Sequence, residues 1–264
     1  MKVSLITVTY NSSKYLEDSI RSVINQDYAD IEYIIVDGNS TDNTVEIIKR
    51  YNDQIFKWVS EKDGGMYDAI NKGMAMATGD IIGTLNSDDV LASTDAISKI
   101  VNCFKEHQVD SVFGDLMYVD ADDMDKVHRY WRGAPYSRSN FYYGWMPAHP
   151  TFYIRKEIVD QLGGYETHFF SAADFEFMVR YLYKHRISSF YLNKLIVKMR
   201  KGGMSNGSLK RRFRANRRDY LALKRNGVPF PFVVSLMKPL RKLPQYYSGF
   251  FSKPIEVDTE LAPA

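Results

Sequence analysis

Short apolar runs alternate with amphipathic stretches over about the first 115 residues, and this alternation constrains the fold more than any other feature of the chain. Val3 to Val8, Ile31 to Val36, Phe56 to Val59 and Ile81 to Leu85 each have the length and apolar content of a buried strand, and a further strand is predicted near Ser111 to Phe113. Between them, Leu16, Ile20, Val23 and Ile24 recur at helical spacing behind the cap candidates Ser12 and Ser13. Val45 and Ile48 mark a second helix behind Ser40, Thr41 and Asp42. A third helix is predicted over Met66 to Met76, stopped by Thr78-Gly79, and a fourth from about Thr94 to Glu106. Such alternation predicts an α/β fold: a doubly wound, mostly parallel central sheet covered on both faces. Ligands of these sheets lie beyond the carboxyl ends of the strands, where strand order reverses.

The residues at those strand ends are polar: Thr9-Tyr10-Asn11, Asp37-Gly38-Asn39-Ser40, Glu61 to Gly65, and Asn86-Ser87-Asp88-Asp89. Adjacent acids repel, and a hard divalent cation is the usual reason to hold two together; Mg2+ or Mn2+ bridging phosphates needs only one or two protein carboxylates. Capping a helix is the other use of Asp88 and Asp89. Asp37 is placed to accept from a ribose hydroxyl or a base N–H, or to close a turn, and the two roles coexist. No G-x-G-x-x-G follows the first strand and no G-x-x-x-x-G-K-[ST] occurs anywhere, which argues against a dehydrogenase and a P-loop nucleotidase. A diphosphate here has to be neutralised by a metal on the acidic pair.

The second half is less regular. A hairpin is predicted over Tyr118 to Trp131 with an acidic turn at Asp120 to Asp125, then an aromatic segment from Tyr136 to Pro150. A short helix from Ile158 to Gly164, a helix from Phe175 to His185 and a closing strand from Ser189 to Met199 follow. A basic helix begins near Lys210, ahead of a proline-spaced aromatic tail and a disordered end from Glu256. The net charge of +3 hides an asymmetry: from Lys198 to Arg225 the only acid is Asp219. That bias points to an anionic partner, a diphosphate or a lipid headgroup; nucleic acid is not expected, because no reader motif accompanies the charge. The single cysteine, Cys103, cannot form an intrachain disulfide and reads as a small buried apolar residue of a protein in a reducing compartment. No run approaches the roughly 20 apolar residues of a membrane span, and no signal peptide is recognisable. A cytoplasmic protein, soluble or attached to the inner face of the membrane, is expected.

Four motifs in order carry a resemblance: Val8-Thr9-Tyr10-Asn11; Val36 to Thr44, reading VDGNSTDNT; Asp63 to Gly73, reading DGGMYDAINKG; and Thr78-Gly79-Asp80 leading into Leu85-Asn86-Ser87-Asp88-Asp89. Together they resemble family 2 glycosyltransferases, enzymes of the GT-A fold that build bacterial surface polysaccharides. Close matching covers about the first 90 residues, and a looser likeness runs to about Ser205. The resemblance implies a metal-dependent, inverting transfer of a hexosyl or N-acetylhexosaminyl group from a nucleotide diphosphate-sugar, by default a UDP-sugar, to a glycan or lipid-linked acceptor. It implies that Thr9, Tyr10 and Asp37 hold the base and ribose. Asp63 and Lys72 line the nucleotide pocket. Asp88 and Asp89 form the DxD-type pair, with Asp89 the direct ligand of Mg2+ or Mn2+.

The segment Ser171 to Phe177 resembles the family's base motif, but Ala173 replaces its first acid, so the role of base passes to Asp174 alone. Glu176, two residues along the helix, points elsewhere. His149 falls where the family often has a histidine, and Trp145 and Tyr143 either stack on a sugar or pack. Arg200 to Ser205 resembles a loop that closes on the diphosphate. The family's processive signature, Gln-x-x-Arg-Trp, is absent, which favours single-sugar addition. The expected organisation is a transferase domain over residues 1–208, with a nucleotide half to about 115 and an acceptor half from about 116, followed by a helical, basic and aromatic extension over 209–264. That extension either lies on an anionic membrane or packs on the domain. The rival reading is a non-catalytic nucleotide-sugar or glycan-binding module, favoured by Ala173. A sugar nucleotidyltransferase is opposed by the lack of glycine between Thr9 and Lys14.

Overall fold

Four strands, β1 (Val3–Thr9), β2 (Ile31–Asp37), β3 (Lys57–Ser60) and β4 (Ile81–Asn86), run parallel in the order β3-β2-β1-β4. The computed structural model describes residues 1–202 and 209–240. Winding proceeds outward from β1 to β3 and then returns to the other side of β1 at β4, so strand order reverses between β1 and β4. Side chains alternate strictly across the sheet, as strand geometry demands. Ile6, Ile34 and Val36 join one core, with α3 (Met66–Met76). Val3, Leu5, Tyr33 and Ile35 join the other, with α1 (Leu16–Ile24), α2 (Thr44–Arg50) and α4 (Ala96–His107). Cys103 is buried in this second core.

The remaining strands are β5 (Val90–Leu91), β6 (Ser111–Val119), β7 (Val127–Trp131), β8 (Tyr153–Arg155) and β9 (Ser189–Arg200). They complete a nine-stranded mixed sheet in the order β3-β2-β1-β4-β8-β6-β9-β5, with β7 paired to β6. The hairpin and the closing strand fall where the sequence predicts them. Two short strands were not anticipated. Three-residue β8 lies antiparallel between β4 and β6, and two-residue β5 pairs Val90 with Lys198 and Leu91 with Val197. Both are too short to carry a periodic signal. They matter because β8 joins the parallel half to the second half, and β5 ties the acidic turn to the end of β9.

The cap expected for α1 does not form. The helix starts at Leu16 after Tyr15 with no side-chain cap, and Ser12 contributes its carbonyl instead, accepting from Tyr15 and Leu16. Asp42 does serve α2: its Oδ1 accepts from the Thr44 N–H at 3.0 Å and from the Thr44 hydroxyl. Burial alone would raise the Asp42 carboxyl, but the bonds from Thr44 and Ser13 outweigh it and hold it at about 2.

In the second half, α5 (Lys156–Leu162) ends at Gly163, and α6 (Ala173–Met178) continues into a wide turn over Val179–Lys184. Glu176 is fully buried against Arg180, whose guanidinium also donates to the carbonyls of Leu162, Gly163 and Gly164. Helices α7 (Leu209–Arg225) and α8 (Pro231–Leu240) fold back on this half. Ala222, Leu223, Val228 and Val234 enter the same apolar core as Trp145 and Phe175. Full burial of side chains like Leu223 and Val234 stabilises the docking by roughly 1.5–3 kcal/mol each. Packing on the domain is thus observed for both described helices of the extension. The more distal aromatics, including Tyr246 and Phe250, lie outside the described residues, as do Gly203, Met204 and Ser205. Among the described residues no helix is long and apolar enough to cross a membrane.

Candidate active site

The strand ends beside the reversal point converge. Asn11, after β1, and Asn39, after β2, both adopt left-handed backbone (φ 48° and 65°), a conformation that asparagine tolerates better than most residues. The Asn11 side chain accepts from the Thr41 N–H at 2.9 Å and Ser40 Oγ accepts from the Asn11 N–H at 2.8 Å, so the two turns are stitched together. Asp37 is fully buried and committed to its own loop, accepting from Ser40 N–H at 2.9 Å and Ser60 Oγ at 2.6 Å. Its observed work is to shape the turn. Gly38 makes the loop possible: a Cβ there would meet Asp63 Oδ2 at 2.7 Å and the Tyr10 ring at 3.4 Å. Tyr10, Asp37 and Asp63 therefore meet around one glycine.

Thr9 is buried and its hydroxyl has no partner among the described residues. Tyr10 is 63% exposed. Lys72 reaches across the first turns of α3 to Glu61 at 2.7 Å and to the Lys62 carbonyl at 3.1 Å. Together with Asp63, which accepts from the Gly65 N–H at 2.8 Å, it fixes the Glu61-to-Gly65 loop.

The acidic pair shows a division that adjacency in sequence does not reveal. Asp89 is completely buried; Oδ2 accepts from Asn86 Nδ2 at 2.7 Å and Oδ1 from the Arg200 N–H at 3.2 Å. Asp88 is only partly buried, and no other described residue donates to its carboxylate. Burial raises the pKa of both, and the Asp88 charge pushes Asp89 higher still, well above the ordinary carboxylate range. The side chain expected to touch a metal directly is thus the one whose oxygens are already occupied. Asp88 is the accessible member.

Arg200 likewise departs from expectation. Its side chain is 5% exposed and donates to Asp18 at 2.6 Å, to the Asp88 carbonyl at 2.8 Å and to the Ala121 carbonyl at 3.1 Å, while lying over the Tyr15 ring. A guanidinium so committed braces the backbone of the acidic turn, and the β5–β9 pairing delivers it there. It has no fork left for a diphosphate.

Among the described residues no group of three or more His, Cys, Asp or Glu side chains forms a cage. The residues present nevertheless fit a divalent cation of the Mg2+ or Mn2+ type. Such ions keep waters and are held by one or two carboxylates together with substrate phosphates. One accessible carboxylate with no protein donor, in a turn where burial disfavours net negative charge, supplies that.

Asp174 sits at the start of α6, 17% exposed, with Oδ2 3.3 Å from His149 Nδ1. The Tyr67 phenol also interacts with it; burial, followed by the Asp174 charge, pushes the Tyr67 pKa up. Tyr67 belongs to the first turn of α3, which starts at Gly65 in a conformation (φ 114°) that favours glycine. Tyr10, Gly38 and Asp63 thus lie together beyond the strand ends, and Tyr67, on the helix that follows Gly65, meets Asp174. The motif His149-Pro150-Thr151 leaves the role of His149 open in the sequence, because its partner Asp174 lies 25 positions away. Burial lowers the His149 pKa, so the neutral ring is favoured beside Asp174. Trp145 is buried against Phe113, Phe141 and Tyr136 and is a packing residue, whereas Tyr143 is exposed.

The family model described as glycosyl transferase family 2 matches residues 4–177. The chain belongs to that family. It is 33% identical over 181 residues to an uncharacterized glycosyltransferase of Mycobacterium tuberculosis, covering 67% of this chain and 68% of the relative. Among solved structures it is similar to Staphylococcus aureus TarS 1-349 in complex with UDP-GlcNAc, with a TM-score of 0.60 and 20% identity over 94% of this chain and 79% of the other. It is also similar to the mannosyltransferase PcManGT of Pyrobaculum calidifontis in complex with GDP-Man and Mn2+, with a TM-score of 0.64 and 18% identity over 94% and 73%. These likenesses show the fold, which is GT-A. The protein is a family 2 glycosyltransferase.

Proposed function

We propose that this family 2 glycosyltransferase transfers a sugar from a nucleotide diphosphate donor to a glycan or lipid-linked acceptor by a single displacement with inversion, in cell-surface polysaccharide biosynthesis. The observation that carries the reading is the gathering of Tyr10, Asp37 and Asp63 around Gly38 beyond the ends of the parallel strands. UDP is the preferred nucleotide by resemblance, and TarS with UDP-GlcNAc is a neighbour in fold. Tyr10 supplies an exposed ring for the base, and the unpartnered Thr9 hydroxyl an additional polar group. Asp37, Asp63 and Lys72 hold the loops that shape the pocket.

A Mg2+ or Mn2+ ion would be held by Asp88, with Asp89 behind it, and when bound would offset the charge of the departing diphosphate. Arg200 acts beneath the pair by fixing its backbone. Asp174 takes the proton of the attacking acceptor hydroxyl, and the neutral His149 ring orients the carboxylate. With one acid in this motif and no enzyme nucleophile required, Ala173 is compatible with turnover. The described helices of the extension lie on the acceptor half, so a lipid-linked acceptor would bring that side against the inner face of the membrane.

The test is release of nucleoside diphosphate from a panel of nucleotide sugars with and without Mn2+, using the parent, Asp88→Ala and Asp174→Asn. Metal-dependent turnover that is lost in both variants is expected. Donor binding without turnover in the parent, supplied with a range of acceptors, would favour the non-catalytic module.

A further inference from the structure

Helix α8 is oriented against the usual logic of a surface helix, which turns charge outward and apolar side chains inward. Its buried face carries Val234, Ser235 and the half-buried Lys238. The lysine reaches inward to Asp219 at 2.8 Å and lies 3.6 Å from the centre of the Phe175 ring. Its outward face carries Phe232, Val233 and Leu236, exposed to 64%, 52% and 47%, at the i, i+1, i+4 spacing of one helical stripe. Phe230, in the turn before it, is exposed to 78%. Contiguous exposed apolar side chains of this size mark a contact surface.

The companion helix supplies the charge. On α7, Asp219, Ala222 and Leu223 face inward, as does Asn226 just past its end, and Arg214, Arg217, Leu221 and Lys224 form the exposed stripe. The only acid of α7 is Asp219, and it is turned inward to Lys238. The hairpin thus exposes arginine and lysine on α7 and phenylalanine and leucine on α8, with no outward acid on either helix. A protein partner would need only the apolar half of this pattern; an anionic bilayer uses both, acyl chains for the rings and phosphates for the bases. The position is also informative. A Cβ on Gly144 would lie 2.7 Å from the Lys238 backbone nitrogen, so α8 rests directly on the turn after Arg138–Tyr143, where Tyr142 and Tyr143 are exposed. Phe175, beneath Lys238, is the neighbour of Asp174.

We propose that the outward face of α8, with Phe230, Phe232, Val233 and Leu236, inserts at the headgroup level of an anionic membrane while the α7 bases engage lipid phosphates. The hairpin then holds the Asp174 side of the enzyme at the bilayer surface, where the acceptor is a lipid-linked sugar or lipid phosphate. The acceptor clause rests on the function proposed above; the membrane contact does not.

The experiment is co-sedimentation of the full chain with vesicles of phosphatidylcholine alone and of phosphatidylcholine mixed with phosphatidylglycerol. Binding to the anionic vesicles, weakened by salt, is expected. The bound-to-free ratio should fall about tenfold or more in Phe232→Asp/Leu236→Asp and remain unchanged in Phe56→Asp, an exposed apolar position far along the chain. As a measurement that does not depend on the double variant folding, an environment-sensitive dye on Leu236→Cys should brighten on anionic vesicles. Absence of parent binding, equal binding by the double variant, or unchanged dye emission overturns the proposal. So does a parent that self-associates through this face and leaves the vesicles free. Donor-induced thermal shifts recorded on the same samples separate the two failures. Lost vesicle binding with an intact donor response removes only the membrane contact. A missing donor response with intact vesicle binding removes only the acceptor clause.

Discussion

Two acids stand two residues apart on α6, and the proposed function gives them opposite roles that a paired substitution separates. Glu176 has no solvent exposure. Both its oxygens contact Arg180 Nε at 3.1 and 3.2 Å, and Oε1 also accepts from Asn226 Nδ2 at 3.2 Å. Glu176→Gln keeps the shape and removes the charge, leaving the Arg180 guanidinium, itself 9% exposed, without its counter-ion. Breaking a buried pair from one side costs about 3–5 kcal/mol. At about 2–4 °C per kcal/mol for a chain of this size, Tm should drop by roughly 6–20 °C. Asp174 is partly exposed, and Asp174→Asn should move Tm by no more than about 2 °C, because no buried charge is orphaned. Turnover should respond in the reverse order. Asp174→Asn should lower kcat by about 100- to 10,000-fold, the worth of a general base, while Glu176→Gln assayed well below its Tm should keep kcat within about threefold. Thermal melts and steady-state kinetics on the two variants give all four numbers. A stable, inactive Glu176→Gln beside an active Asp174→Asn would refute the assignment.

Relief of repulsion in the acidic turn should make Asp88→Asn more stable than the parent without metal, by about 0.5–2 kcal/mol at neutral pH, while abolishing stabilisation by Mn2+ with donor. Because the folded-state pKa values of Asp88 and Asp89 are raised, the native state holds more protons above the unfolded carboxyl value of about 3.9. Parent stability should therefore fall as pH rises through the folded values, and Asp88→Asn should flatten that fall in pH-dependent melts. His149 has the opposite sign. Its pKa is lowered on folding, so its contribution is complete above the unfolded value of about 6.5 and is lost as pH drops through the folded value; His149→Gln should remove that limb. Gly73→Ala should cost about 1–3 kcal/mol, since its Cβ would stand 2.4 Å from Ile6 Cγ2 where α3 crosses β1.

The parallel first half was legible because its elements announce themselves locally. Parallel strands buried on both faces read as apolar runs, and the polar clusters at Thr9, Asp37 and Asp88 fall where winding about β1 puts a ligand. What the sequence concealed depends on contacts remote in the chain. Asp89 and Arg200 meet through a two-residue strand, and only that contact reveals that Asp89 is buried and Arg200 spent. Asp174 finds Tyr67 from more than a hundred residues away and His149 across a loop without periodicity. The basic charge of α7 was visible from the start, but the inward Lys238 and outward Phe232 required the docking of α8 to be known.

The central claim is that the strand ends from Tyr10 to Asp88 and the carboxylate of Asp174 form one donor site. A crystal structure with an unhydrolysed nucleotide sugar and Mn2+ tests it most directly. The base should stack near Tyr10, the ion should touch Asp88 and a diphosphate oxygen, and the anomeric carbon should face Asp174. A donor bound elsewhere, or an ion bridged to phosphate without Asp88, would contradict the account.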